Sequence, residues 1–100
     1  MSPRLDIGPV SLDLDCFIAC VNGRRPTLTR LEFDILAYLM SNAHRVVSAE
    51  ELVERVGKNV YRTNTSWVRV HISHLRRKLG PEARVIETIR GRGLRFLQPA

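Results

Sequence analysis

One hundred residues and 11.4 kDa fit one domain, residues 1–100, because domains run to about 100–200 residues. With 44% hydrophobic and 26% charged residues the composition is globular, which excludes disorder of the whole chain. Apolar runs of a few residues fall far short of the roughly 20 that cross a bilayer, and the start Met1-Ser2-Pro3-Arg4 has no apolar leader stretch. A soluble, cytoplasmic protein with no membrane partner is expected.

The formal net charge of +6 conceals a segregation. Residues 1–57 carry six basic and eight acidic side chains, net −2, whereas residues 58–100 carry ten and two, net +8. No carboxylate occurs from Arg55 through Pro81. A polyanion-facing half on a neutral-to-acidic scaffold is the reading, and nucleic acid is the commonest such partner in the cytosol. Cys16 and Cys20, if on one strand, stand about 13 Å apart at 3.3 Å per residue. A disulfide needs about 7 Å or less.

The first 28 residues read as a small antiparallel sheet of three or four strands. Leu5 and Ile7, then Val10, Leu12 and Leu14, then Ala19 and Val21 alternate at period two. Gly8-Pro9 breaks the first run, and Asn22-Gly23 is a strong hairpin signal because both turn positions need positive φ.

Helices occupy residues 30–79. Thr29-Arg30-Leu31-Glu32 is a capping box, with Leu28 and Phe33 as a hydrophobic staple, and it opens a helix over about 30–41. Ser48-Ala49-Glu50-Glu51 repeats the device, with Val47 and Leu52 as staple, for a short second helix that Gly57 ends. Asn64 or Thr65 then caps a third helix that closes at Gly80-Pro81. At 100° per residue, Val68, Ile72, Leu75 and Leu79 form one stripe that must face the core. The opposite face carries Ser66, Arg69, Val70, Ser73 and Arg77, with His74 and Arg76 on its margins. Residues 85–97 read as a hairpin whose tip, Arg90-Gly91-Arg92-Gly93, is glycine-rich and basic.

The fold class is therefore α+β, a winged helix-turn-helix with an N-terminal antiparallel sheet, three helices and a C-terminal β-hairpin wing. In such a fold one helix enters the major groove of duplex DNA and the wing reaches a neighbouring groove or the phosphates. A winged helix that binds an acidic protein partner is the alternative. Catalysis is not expected, because no nucleophile, base or paired carboxylates gather. Gly91 and Gly93 do not read as a phosphate loop, since no helix comes after them to lend its N-terminus. His71 and His74, three apart, lack a third ligand nearby in sequence, so neither metal nor cofactor is expected.

Four blocks resemble the OmpR/PhoB-type effector domain of bacterial two-component response regulators, in that family's order and spacing. They are Leu28–Phe33, Arg45–Ser48, Val68–Leu79 and Ile86–Gly93. The resemblance implies that Val70, Ser73 and His74 face bases and that Arg76 lies near phosphate. It also implies that Ser66 and Trp67 touch the backbone at the start of the third helix. In the wing, Thr88 and Arg90 match positions at the backbone and minor groove, with Arg92 adding charge beside them. Relatives bind tandem direct repeats of double-stranded DNA head to tail and contact RNA polymerase through the loop that matches residues 57–64. A receiver domain and a sensor kinase are implied if the chain is an effector half. The chain departs from the pattern at Trp67, Arg69, Ser73, His74 and Leu94, so the family's base preferences do not carry over.

Overall fold

The structure is a computed structural model and describes residues 3–57 and 65–97. It opens with three antiparallel strands, β1 (Arg4–Ile7), β2 (Val10–Asp13) and β3 (Ile18–Val21), with β2 central. The register pairs Ile7 with Val10 and Val10 with Val21, then Leu5 with Leu12 and Leu12 with Ala19. The alternating apolar residues thus share one face, and Val10, Leu12 and Val21 are fully buried. Gly8 at φ +56 and Pro9 make the two-residue turn between β1 and β2, with positive φ at the first position as a type II′ turn requires. Asp13 Oδ1 accepts from the Asp15 and Cys16 amides at 3.0 Å and shapes the longer β2–β3 loop. Cys16 lies in that loop and Cys20 in β3, so the two free thiols do not share a strand.

The Asn22-Gly23 turn forms, with positive φ at both residues, but it closes on a single Val21–Arg24 bridge and opens no fourth strand. The chain leaves the sheet here because the turn docks elsewhere. Arg24 donates to the Leu79 carbonyl at 3.0 Å and Asn22 Nδ2 to Glu82 Oε1 at 2.8 Å. One of the carbonyls that a helix C-terminus leaves unpaired thereby finds a donor.

Helix α1 (Arg30–Ser41) starts with the full capping box. Thr29 accepts from the Glu32 amide, and Glu32 accepts from the Thr29 amide at 2.9 Å. Helix α2 (Ala49–Arg55) keeps only half of its box. Ser48 Oγ accepts from the Glu51 amide at 3.0 Å, but the Glu51 carboxylate turns to Arg45 and Tyr38. A charged donor and a hydroxyl together outcompete one backbone amide.

Helix α3 (Ser66–Leu79) has Thr65 at its cap without a side-chain cap bond; Asn64, the other cap candidate, lies outside the described residues. Its core stripe, Val68, Ile72, Leu75 and Leu79, is buried throughout. Gly80 at φ +62 ends it, and a 3₁₀ segment (Gly80–Val85), not expected from the sequence, leads to the wing. The wing is β4 (Ile86–Ile89) paired with β5 (Gly93–Phe96). Val47 exchanges two backbone hydrogen bonds with Leu94, at 2.7 and 2.8 Å, so the segment before α2 extends this second sheet. That close approach requires Gly93, because a Cβ there would lie 2.1 Å from the Val47 carbonyl oxygen. One buried hydrophobic cluster draws on both sheets and all three helices.

Candidate nucleic-acid interface

Helix α3 turns its apolar stripe inward, so the positions opposite it are exposed. Arg69, Val70, Ser73, His74 and Arg77 stand in solvent, and Val70 is 53% exposed although it is a large apolar residue. An exposed β-branched residue in mid-helix contributes little to folding.

Between α3, the wing and the start of α2 runs a groove of about 770 Å³. Ser66, Arg69, Ser73 and Arg76 line it from α3, and Thr88 and Arg92 from the wing. Val70, His74 and Arg77 lie along α3 beyond that lining, and Arg90 stands exposed at the wing tip. Ala49 and Glu50 at the start of α2 supply a further wall that was not expected from the sequence. The only signal for it was the helix-turn-helix topology itself, which places the first turn of one helix across the middle of the next.

The wing tip is a three-residue loop, Arg90-Gly91-Arg92, closed by the Arg92 amide donating to the Ile89 carbonyl at 2.9 Å. Gly91 takes φ +75, which a side chain would resist. Both arginines are exposed.

Arg76 is half-buried and does not stand free. Its Nη2 donates to the Ile86 carbonyl at 2.8 Å and to Thr88 Oγ1 at 2.7 Å, so it joins α3 to β4. These bonds, both from one guanidinium nitrogen, make a strut between the two elements, and Arg76 still lines the groove. A guanidinium has donors enough to hold a carbonyl and a hydroxyl together.

Trp67, expected to touch the backbone at the start of α3, is 7% exposed, and its ring belongs to the core. An indole is large enough to fill the space between α2 and α3. Its ring lies where a Cβ on Gly57 would stand, 2.4 Å from Trp67 Cζ2, and so it packs because residue 57 has no side chain. The helical wheel hid this, because Trp67 sits beside the apolar stripe and its size carries it inward.

Arg4, Arg30, Arg45, Lys78 and Arg95 are each paired with a carboxylate. Among the described residues Arg69, Arg77, Arg90 and Arg92 form no ion pair. Of these, Arg69 and Arg92 line the groove from two elements, where Glu50 is the one acidic residue of the lining, and the excess of cations there favours an anion.

Behind this face sits the one buried carboxylate of the described residues. Glu32 is 2% exposed and accepts from Lys78 Nζ at 2.6 Å. Burial pushes its carboxyl up, but the bonds from Lys78 and Thr29 outweigh that and hold it below its usual value. One ligand atom from each of Glu32, His71 and His74 lies within 4.8 Å of the others. Sequence spacing did not reveal this, because Glu32 is assigned in full by its capping role.

Comparison with known proteins agrees with this arrangement. The family model described as "Transcriptional regulatory protein, C terminal" matches residues 23–96. The sensory transduction protein RegX3 of Mycobacterium tuberculosis is 37% identical over 93 residues, which are 92% of this chain and 41% of that protein. The chain thus spans about two-fifths of the length of the curated relatives it matches. Among solved structures, the Klebsiella pneumoniae RstA DNA-binding domain in complex with RstA box superposes with a TM-score of 0.84 at 25% identity, covering 96% of this chain and 98% of that one. The DNA-binding domain of CpxR from E. coli superposes at 0.81 with 33% identity, covering 99% and 100%. With its sheet, three helices and basic wing in the family's order, this chain belongs to the OmpR/PhoB-type family of transcriptional regulatory C-terminal domains.

Proposed function

We propose that this chain is a single domain that binds double-stranded DNA sequence-specifically for a bacterial transcriptional regulator, with α3 in the major groove and the wing at the backbone or minor groove. One observation carries the reading. Arg69 and Arg76 of α3 and Arg92 of the wing tip line one groove from two elements, and Arg77 and Arg90 stand exposed on those same elements. A helix about 10–12 Å across with its side chains suits a major groove about 12 Å wide.

Exposure and chemistry divide the roles. Val70, Ser73 and His74 reach base edges, Val70 by apolar contact with a thymine methyl and the other two by hydrogen bonds. Ser66, Arg69, Arg77, Arg90 and Arg92 hold phosphates, and Thr88 meets the backbone beside the strut from Arg76. The chain has no enzymatic role in this reading and works in the cytoplasm. In the described residues no helix is long and apolar enough to cross a membrane. If the chain is the effector half of a longer protein, a receiver domain answering to a sensor kinase completes it, and the loop 57–64 meets RNA polymerase. Of that loop only Gly57 lies within the described residues. Two copies sit on tandem half-sites about 10–10.5 base pairs apart, which puts both recognition helices on one side of the duplex. Footprints that show equal occupancy at every spacing would refute that pairing.

Selection from a random duplex pool tests the reading. The parent chain is expected to return a defined motif, and His74→Ala and Ser73→Ala to return altered ones. An unchanged motif in both variants removes α3 from base recognition, and no enrichment at all contradicts sequence-specific binding.

A further inference from the structure

His71 and His74 lie three residues apart on α3, with ring centroids 6.3 Å apart and the rings nearly perpendicular. Sequence offers no neighbouring third ligand, but the packing of α1 against α3 brings Glu32 to them, one ligand atom from each lying within 4.8 Å of the others. We propose that Glu32, His71 and His74 bind a borderline transition-metal dication such as zinc, nickel or cobalt(II) at the junction of α1 and α3.

The donor set decides the class of ion. Two imidazoles and one carboxylate suit these metals, whereas magnesium and calcium require oxygen shells. Tetrahedral bonds of about 2.0–2.2 Å put ligand atoms roughly 3.3 Å apart, so the present spread must close by roughly 1.5 Å at most. The mobile partner is His74, which is exposed and turns about its own side-chain bonds. Glu32 is the fixed one. Its bonds from Thr29, at 2.9 Å, and Lys78, at 2.6 Å, both fall on Oε1 and hold the carboxylate in place. The Lys78 ammonium offsets the carboxylate charge, so affinity rests mainly on the two imidazoles. Three protein ligands leave a fourth position for water, as in open rather than closed zinc sites.

The site touches function through His74. A metal would draw that ring toward α1 and away from a base edge, so loading would weaken or redirect duplex binding. This consequence rests on the DNA-binding reading, whereas the metal site does not.

The test is calorimetric titration of the metal-free 100-residue chain with zinc chloride, together with the visible absorption of added cobalt(II), in the absence of DNA. One saturable equivalent is expected. His74→Ala, an exposed change that leaves the circular dichroism intact, and Glu32→Gln, which retains an acceptor for the Thr29 amide, should each weaken binding about tenfold or more. His44→Ala should leave it unchanged, and magnesium should give no binding. Absence of saturable binding, or equal affinity in His74→Ala, overturns the site. A second arm measures affinity for the selected duplex with and without zinc. A zinc effect in the parent that disappears in His74→Ala supports the coupling, and zinc binding without any effect on duplex affinity overturns the coupling alone.

Discussion

Arg76 of α3 donates to Thr88 Oγ1 at 2.7 Å, and the same nitrogen donates to the Ile86 carbonyl at 2.8 Å. A single side chain thus ties the first strand of the wing to α3. Arg76→Ala is expected to lower affinity for all duplexes by a similar factor and leave the selected motif intact, because it disturbs placement rather than base reading. A double-mutant cycle with Thr88→Val should return a coupling of about 1 kcal/mol, as for a partly exposed hydrogen bond. Additive stabilities would show that the strut holds nothing.

Gly93 lets the wing lie against the segment before α2. Its φ is +147 and a Cβ would stand 2.1 Å from the Val47 carbonyl oxygen and 2.8 Å from Ser48 Cα, all backbone that cannot step aside cheaply. Gly93→Ala should therefore destabilise the fold by about 3 kcal/mol or more and break the Val47–Leu94 pairing first. Loss of hydrogen-exchange protection at the Val47 and Leu94 amides, ahead of those in α1, is the expected sign. Unchanged protection there would contradict the contact.

Much of this architecture was legible because its signals are local. Thr29 and Glu32 fix the start of α1, Gly80 fixes the end of α3, and the stripe Val68, Ile72, Leu75 and Leu79 faces the core as its spacing requires. Elsewhere tertiary partners decided against the local signal. Asn22-Gly23 makes its turn but docks on the end of α3 instead of starting a strand. Glu51 abandons its capping box for Arg45 and Tyr38, and Trp67 goes inward because Gly57 leaves room. In the site, Arg69 and Arg77 could be named from an acid-free helix face, and Arg90 and Arg92 from the glycine-rich tip of the hairpin. The strut role of Arg76 and the proximity of Glu32 to two histidines could not, since both depend on packing between separate elements.

The Glu51 cluster gives a pH dependence of defined sign. Bonds from Arg45 and then Tyr38 hold the Glu51 carboxyl down at about 2, against 4.5 for an ordinary glutamate. A depressed carboxylate pKa contributes stability that is complete above about 4.5 and is lost as pH falls toward 2. Because Arg45 is half-exposed, the contribution should be on the order of 1 kcal/mol. Glu51→Gln is expected to be less stable than the parent near neutral pH, with the gap in urea midpoint closing between pH 4.5 and 2. A gap that stays constant through that window would exclude the ion pair as its source.

In the proposed function the cationic face of α3 and the wing holds the phosphates of a duplex. Titrating the chain against its selected duplex and the matching single strand over a range of salt concentrations addresses it most directly. Neutralising about four to six phosphates per protomer predicts a slope of log affinity against log salt of roughly −4 to −5, with the duplex bound more tightly than the single strand. A slope near zero, or a preference for the single strand, would contradict the account.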